Sequence, residues 1–557
     1  MKYRIFFLFL FICASLGCYN FFIHPAYPST PISIAAQKTQ KILLVPLDGR
    51  PPCRQFVLDA GELAGAEILT PPGEIQDYYT QPGDTKALGP WLESNISGCD
   101  AVILSIDQLL YGGLLAAREA NKTPAEMTAM LDFLRRLHAE HPEVPIYAFN
   151  ILPRMTPPAS IDGYEDNKNL LRYSRLVDRY EQSGSDSDLQ ELAAVEAKIS
   201  PGSLQQYQEL FRQNTELNEQ LSLLAQEGIL QRLIIGQDDG EKYSIPNIEK
   251  RRLRSFLREN SLSDAQVSIT HGADEIALTL LMEIEARKQQ HHPMVYVAYN
   301  TPETPSLIMP YMAVSVEETI QEKLHMLQGE RTASPDSADY ILFVSCGSEE
   351  NLSSRQKSAA RIAQFLAEGK HVALVDLSKH FDAHETLLPM LIEQEVPLNQ
   401  LIAYAGWNTT SNSIGTAMSE AGLFTLGCQK ARNQEDLLAL YQSNLVFLNN
   451  RYLEDYYYLK DVIALVNTSI KKAGYANVYD LDLEHNYLWA TDMLREAMKA
   501  RIVTYKNTAA FRKPFSIHTP DGPLTLRVRE LSADISYPWP RTFEIYLHST
   551  VYLDKLP

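Results

Sequence analysis

From Lys41 onward the chain alternates short β-branched or aliphatic runs with amphipathic stretches. The runs are KILLVPL, AEILTP, AVILSID, PIYAFNI, RLIIGQDD, QVSITHG, MVYVAYN, YILFVSC, HVALVDL and LIAYAGW. Strands that are apolar throughout, rather than at every second position, are covered on both faces. The pattern therefore predicts an α/β fold of parallel sheets with crossover helices. Two crossovers can be placed closely. Thr123, Pro124 and Glu126 make a capping-box start, after which Met127, Met130, Leu131, Leu134 and Leu137 recur on one face. A second helix begins near Ser353, carries Ile362, Phe365 and Leu366, and stops at Gly369.

Ten candidate strands leave two architectures open. One is a β/α-barrel-like closure of the first eight with two strands added. The other, preferred, is a doubly wound pair of sheets divided near GERTASPDSAD, where Thr332 to Asp339 reads as a polar, Pro-containing linker. The expected organisation is a signal or anchor with a tether over residues 1–38, a first α/β domain over 39–332 and a second over 338–428. A helical cap and a small C-terminal β element follow over 429–557, the cap including the Tyr-rich run RYLEDYYYLKDVIALV. Inside the first domain a polar helical excursion over 166–228 exceeds what a crossover needs and reads as a lid or subdomain. Its Leu170, Leu171 and Tyr173 are spaced to pack on one another.

Lys2 and Arg4 precede IFFLFLFICASLGCYNFFI, the basic and apolar regions of an export signal. Continued through Ile23, the run approaches the ~20 residues that span a bilayer, so an uncleaved anchor stands as an alternative. Cys18 after Gly17 is a candidate for lipidation, and HPAYPSTPISIAAQ reads as a tether. The expected location is extracytoplasmic, with membrane attachment through the N-terminus alone. Cys53, Cys99, Cys346 and Cys428 lie far apart without a CxxC, which excludes a zinc knuckle or a dense disulfide framework. They read as small buried hydrophobes, with one or two disulfides allowed in an oxidising compartment. Lys plus Arg number 50 against 69 Asp plus Glu, and the net charge of −19 repels nucleic acid, so a nucleic-acid partner is excluded.

Ligands gather at the carboxyl ends of parallel strands under either architecture, and those ends are polar here. They carry Asp48 and Arg50, Asp107 and Tyr111, Asn150 and Arg154, then Gln237, Asp238 and Asp239. Further on come His271, Asp274 and Glu275, Asn300, and Trp407, Asn408, Thr409 and Asn412. Asp274 alone reads as a helix cap or turn former. Asp48, Asp107, Asp238, Asp239 and Glu275 together are expected to converge as catalytic carboxyls. Converging carboxylates repel, so some must be protonated, paired with Arg50, Arg118 or Arg154, or bound to a cation. Arg50, Tyr111, Arg118, Asn150, Gln237, His271, Trp407, Asn408 and Asn412 are the candidate substrate-binding residues.

Two chemistries fit. In acid/base hydrolysis one carboxyl donates a proton to a leaving oxygen while another stays ionised, as in cleavage of a glycan, with Trp407, Tyr111 and Tyr243 as stacking faces. A hard Mg²⁺ or Ca²⁺ site would instead use Asp238, Asp239 and Asp107. No cofactor is demanded by sequence, and oligomeric state is not encoded in any motif. A non-catalytic solute or glycan receptor, closed by the excursion, is the alternative function. AGWNTTSNSIGTAMSEAG leads a strand into a helix whose first N–H groups would face the same rim. His380 and His384 read as surface residues, and Ser345 and Cys346 have no partner histidine to make a nucleophile. GxGxxG, Walker A, GxSxG and HExxH are absent.

LLVPLDGRPP, DQLLYGGLLAAR, GQDD, HGADE, AGWNTTSNSIGTA and PWPRTFEI, in this order, resemble the bacterial domain-of-unknown-function family 4127. The resemblance runs from about Lys41 to the end and implies one α/β unit without supplying a reaction. Relatives usually carry a second Asp where this chain has Gly49, which weakens a metal role for that loop.

Overall fold

A computed structural model describes residues 30–557 except 33, 35, 36, 120 and 121. The export, anchor and Cys18 expectations fall on residues 1–29, outside the described residues. Among the described residues no helix is long and apolar enough to cross a membrane.

The strands are β1 (Thr30–Ile32), β2 (Gln40–Val45), β3 (Ala66–Leu69), β4 (Ala101–Ser105), β5 (Ile146–Leu152), β6 (Arg232–Gln237) and β7 (Val267–His271). β2 to β7 form a six-stranded parallel sheet in the order β3-β2-β4-β5-β6-β7. Next come β8 (Met294–Tyr299), β9 (Glu330–Arg331), β10 (Tyr340–Gly347), β11 (Val372–Ser378) and β12 (Ala403–Ala405), a second parallel sheet ordered β12-β11-β10-β8-β9. Numbered from its own first strand, each sheet runs 2-1-3-4-5, and the first adds a sixth strand, so both are doubly wound.

This excludes the closed barrel, since both sheets are open and β8 pairs with β10. It also moves the change of sheet. The Thr332–Asp339 segment expected to divide the units is a surface connection from β9 to β10 inside the second sheet, and the change falls between β7 and β8. A polar, Pro-containing stretch marks any surface connection, whether or not a new unit follows it.

One hydrophobic core joins the sheets. Leu44, Ile103 and Phe149 of the first meet Val344, Val375 and Ala405 of the second through the helices Ile276–Gln289, Val316–Met326 and Thr410–Lys430. Every residue from Ile276 to Ala286 is buried, as in a central layer that has no solvent face. Both closely placed crossovers appear. Thr123 caps the helix Pro124–Glu140 in a capping box, and the helix Leu352–Ala367 ends before Gly369, whose φ is +74°.

The excursion consists of three helices, Tyr164–Ser183, Asp186–Glu196 and Pro201–Gln226, which pack Leu170, Tyr173 and Tyr207 against Ile245 and Ile248 of the helix Ile245–Glu259. The C-terminal region contains the helix Gln434–Arg451, a π-helix Tyr452–Val462, and the helices Ile463–Lys472 and Tyr487–Lys506. β13 (Phe515–Thr519), β14 (Gly522–Ser536) and β15 (Tyr546–Leu556) then form an antiparallel sheet. β1, expected within the tether, pairs with β15 at its edge. Cys53, Cys99, Cys346 and Cys428 are free.

Candidate functional site

The carboxyl ends of both sheets face one cavity of about 800 Å³. The first sheet contributes Asp48 and Arg50 after β2, Arg118 after β4, Arg154 after β5, Gln237, Asp238 and Asp239 after β6, and His271 to Asp274 after β7. From the second sheet come Tyr311, Phe381, Asn408 and Asn412, while Lys460, Tyr479, Trp539, Arg541 and Phe543 close it from the C-terminal region. This is the crevice in which open α/β sheets hold ligands.

On one side Arg50 ties two acids together. Its Nε donates to both oxygens of Asp48, at 3.0 and 2.9 Å, and its Nη2 donates to Asp48 Oδ2 and Asp274 Oδ1, each at 2.6 Å. Asn412 Nδ2 donates to the other oxygen of Asp274 at 3.2 Å. Asp274 is thus part of the site and not the cap of the buried helix that follows, whose cap position is Glu275. Asp48, Cys53 and Asp274 offer three ligand atoms within 4.8 Å of one another, the geometry of a metal site. The donor set does not suit a metal: the Arg50 guanidinium already lies between the carboxylates, and burial, then Asp48 and Asp274, push the Cys53 thiol far up and keep it neutral.

Asp77 completes this corner and came from no sequence motif. It lies in the loop between β3 and β4, and its Oδ1 accepts the Gly49 N–H at 2.9 Å. A Cβ at Gly49 would lie 3.1 Å from Asp77 O, a tight contact that the Asp77 backbone would have to relieve by a few tenths of an ångström. Burial and the neighbouring Asp48 push its carboxyl up to about 8.

On the other side two sequential carboxyls are driven apart. Burial would raise Asp238, but Arg118, which forms an ion pair with it, and Arg154 outweigh burial and hold it below the usual carboxylate range. Its Oδ1 also accepts the Asp239 N–H at 2.8 Å. Among the described residues Asp239 has only a distant partner, Arg154 at 3.8 Å, and about a third of its side chain remains open to the cavity. Burial, then the charge on Asp238, push it up to about 7. Near neutrality the site therefore presents one ionised and one half-protonated carboxyl side by side.

Five expected site residues do not line the cavity. Asp107 lies beneath it, wholly buried, with Oδ2 accepting the Ile151 N–H at 3.0 Å, and burial pushes it up to about 8. Glu275 points back into the core and forms a buried ion pair with Lys323, which also donates to His271 O at 2.5 Å and Thr270 Oγ1 at 3.1 Å. Tyr111 packs in the core on the outer face of the first sheet. Asn150 donates to Asn218 Oδ1 at 3.0 Å under the excursion, and Trp407 is buried edge-on to Phe543. Four of them follow the expected strand and Asn150 lies within β5, but each side chain turns away from the cavity. The aromatic wall instead comes from Trp539, Phe543, Tyr311, Phe381 and Tyr479, and Tyr243 lies outside it. His271 reaches the wall, yet its ring is held between Glu322 at 2.8 Å and Lys250 at 2.7 Å.

A hard-metal site on Asp107, Asp238 and Asp239 is equally ill-suited, because one acid is below the floor and Arg118 and Arg154 stand where a divalent ion would sit. No described residue of the excursion lines the cavity, so it is not a lid in this conformation. No curated protein matches the chain. A family model described as a protein of unknown function (DUF4127) matches residues 42–548, from β2 into β15, and the chain belongs to that family.

Proposed function

We propose that the protein is a hydrolase that cleaves a glycosidic bond in a carbohydrate or cell-envelope substrate. The observation that carries this is the split pair, Asp238 ionised and Asp239 protonated at half its population near pH 7, opening on a cavity walled by aromatic rings. Asp239 donates its proton to the leaving oxygen as the C–O bond breaks. Asp238 keeps its negative charge and stabilises the positive charge that builds on the sugar ring; a water oxygen then bonds to that ring carbon and gives up a proton to the Asp239 carboxylate, which restores the acid. Tyr311, Phe381 and Tyr479, the exposed rings at the cavity, supply the flat apolar faces that pack on sugar rings, while Trp539 is buried under Arg541 and Arg50. The export-type leader supports an envelope-side location, with membrane contact through the N-terminus only.

The test is a panel of chromogenic glycosides and envelope glycans incubated with the wild type, Asp239→Asn and Asp238→Asn. Turnover by the wild type, lost in both variants while their melting temperatures hold or rise, is the expected result. Saturable binding with no product after prolonged incubation would replace the hydrolase by a glycan receptor.

A further inference from the structure

A small niche opens beside the main cavity, next to the carboxyl ends of β11 and β12. It shares Phe381, Asn408 and Lys460 with the cavity wall and adds Ser378 and Thr410. Its free space is about 10 Å³, room for a single oxygen atom. Ser378 and Thr410 are 6% and 2% exposed, and neither hydroxyl has a hydrogen-bond partner among the described residues. Lys460 is 8% exposed and donates to the carbonyls of Gly406 at 2.5 Å and Asp455 at 3.2 Å, leaving one of its three N–H bonds uncommitted.

The acids nearest Lys460, Asp376 and Asp455, feel its charge but make their hydrogen bonds with other groups. Asp376 accepts the N–H groups of Leu387 and Leu388, and Asp455 accepts those of Gly406 and Arg451. Thr410 is the first residue of the helix Thr410–Lys430, so the positive end of a 21-residue helix falls on the same spot. Lys460 itself sits in the π-helix, a geometry that concentrates at functional sites.

We propose that this niche takes one oxygen of an anionic substituent, carboxylate or phosphoryl, carried by a sugar whose ring lies in the main cavity. An ammonium, two unengaged hydroxyls and a helix N-terminus around a one-atom space select a negative oxygen over a neutral one. The inference names the substrate class for the hydrolytic reading and rests on it only for cleavage; docking of the anion needs no chemistry.

Calorimetric titration of the full chain with glucuronic acid, glucose 6-phosphate and glucose tests it, in the wild type, Lys460→Met, Thr410→Val and Asp239→Asn. At least one anionic sugar is expected to bind about tenfold or more tightly than glucose, and the one that does identifies the anion. Lys460→Met and the near-isosteric Thr410→Val each remove most of that preference. Thr410→Val decides the matter if Lys460→Met does not fold. Asp239→Asn keeps the preference, so a failed glycosidase assay leaves the niche standing. Equal affinity for the three sugars, no binding of any, or a preference that survives both niche variants overturns the proposal. Equal kcat/KM for neutral and acidic glycosides would overturn it too, while leaving cleavage intact.

Discussion

Asp238 and Asp239 share a strand end, yet Arg118 engages one of them directly and Arg154 barely reaches the other. That asymmetry sets the expected pH dependence. Asp239 must be protonated to donate, so kcat/KM should decline as pH rises through about 7, and Asp239→Asn should remove activity over the whole range. Glu275 behaves differently. Glu275→Gln leaves the Lys323 ammonium buried without its partner, a loss of about 3–5 kcal/mol, and should lower the melting temperature sharply. A double variant, Glu275→Gln with Lys323→Met, should recover much of that stability, as chemical denaturation would show. Asp48, Asp238 and Asp239 were legible in the sequence because an acid directly after an apolar strand has few places to go. Asp107 and Glu275 carry the same signal, but no pattern tells which way a side chain turns at a strand end. Asp77, Trp539 and Arg541 were hidden for another reason: they arrive on a loop and on the tail, and only the closed fold brings them to β2. The PWPRTFEI segment that carries Trp539 and Arg541 was a distinctive motif with no strand end to anchor it.

Helix contacts decide which glycines can change. Gly to Ala in a helix interior ordinarily stabilises by about 1 kcal/mol. At Gly415, in the helix Thr410–Lys430, a Cβ would lie 2.4 Å from Glu275 Cγ, whose own position is locked by Lys323. Gly415→Ala should therefore lower the melting temperature instead of raising it, which thermal unfolding would show directly. The rim shows backbone strain of the opposite use. Tyr311 and Phe381 are bulky residues at φ +63° and +57°, a left-handed conformation that costs about 1–2 kcal/mol and that glycine adopts freely. Phe381→Gly should leave stability equal or higher while weakening substrate binding, read as a raised KM. The crossovers were legible at this scale because capping boxes, one-sided apolar spacing and a stop glycine are local. The π-helix was not, since its residues are as apolar as an ordinary helix and the wider turn is imposed by packing.

Across the whole molecule the titration of buried carboxyls runs against the usual trend. Asp77 and Asp107 are raised to about 8, Asp239 to about 7 and Asp274 to about 6, all chiefly by burial. A raised carboxyl binds its proton more tightly in the folded state than in the unfolded chain, where it titrates near about 4. Each such group therefore removes stability as pH climbs from about 4 to its folded value. Glu322 works the other way: burial is outweighed by His271 and Lys250, its carboxyl falls to about 2, and its contribution is lost only in strong acid. The melting temperature should accordingly be several degrees higher near about pH 5.5 than near about pH 8.5. The division into two doubly wound sheets was visible in the run of strands. Its position was not, because a shared core leaves no hydrophilic seam, and the most polar segment in the region is an ordinary connection.

The proposed chemistry requires neighbouring carboxyls that ionise at different pH. Following the aspartate carboxyl carbons by ¹³C NMR through a pH titration, with Asp238→Asn and Asp239→Asn to assign them, measures this directly. Asp239 should titrate at about 7 in the wild type, with Asp238 below the usual carboxylate range, and Asp238→Asn should draw Asp239 downward by removing the charge that holds it up. Both carboxyls titrating together near about 4 would contradict the proposed acid and the hydrolytic site built on it.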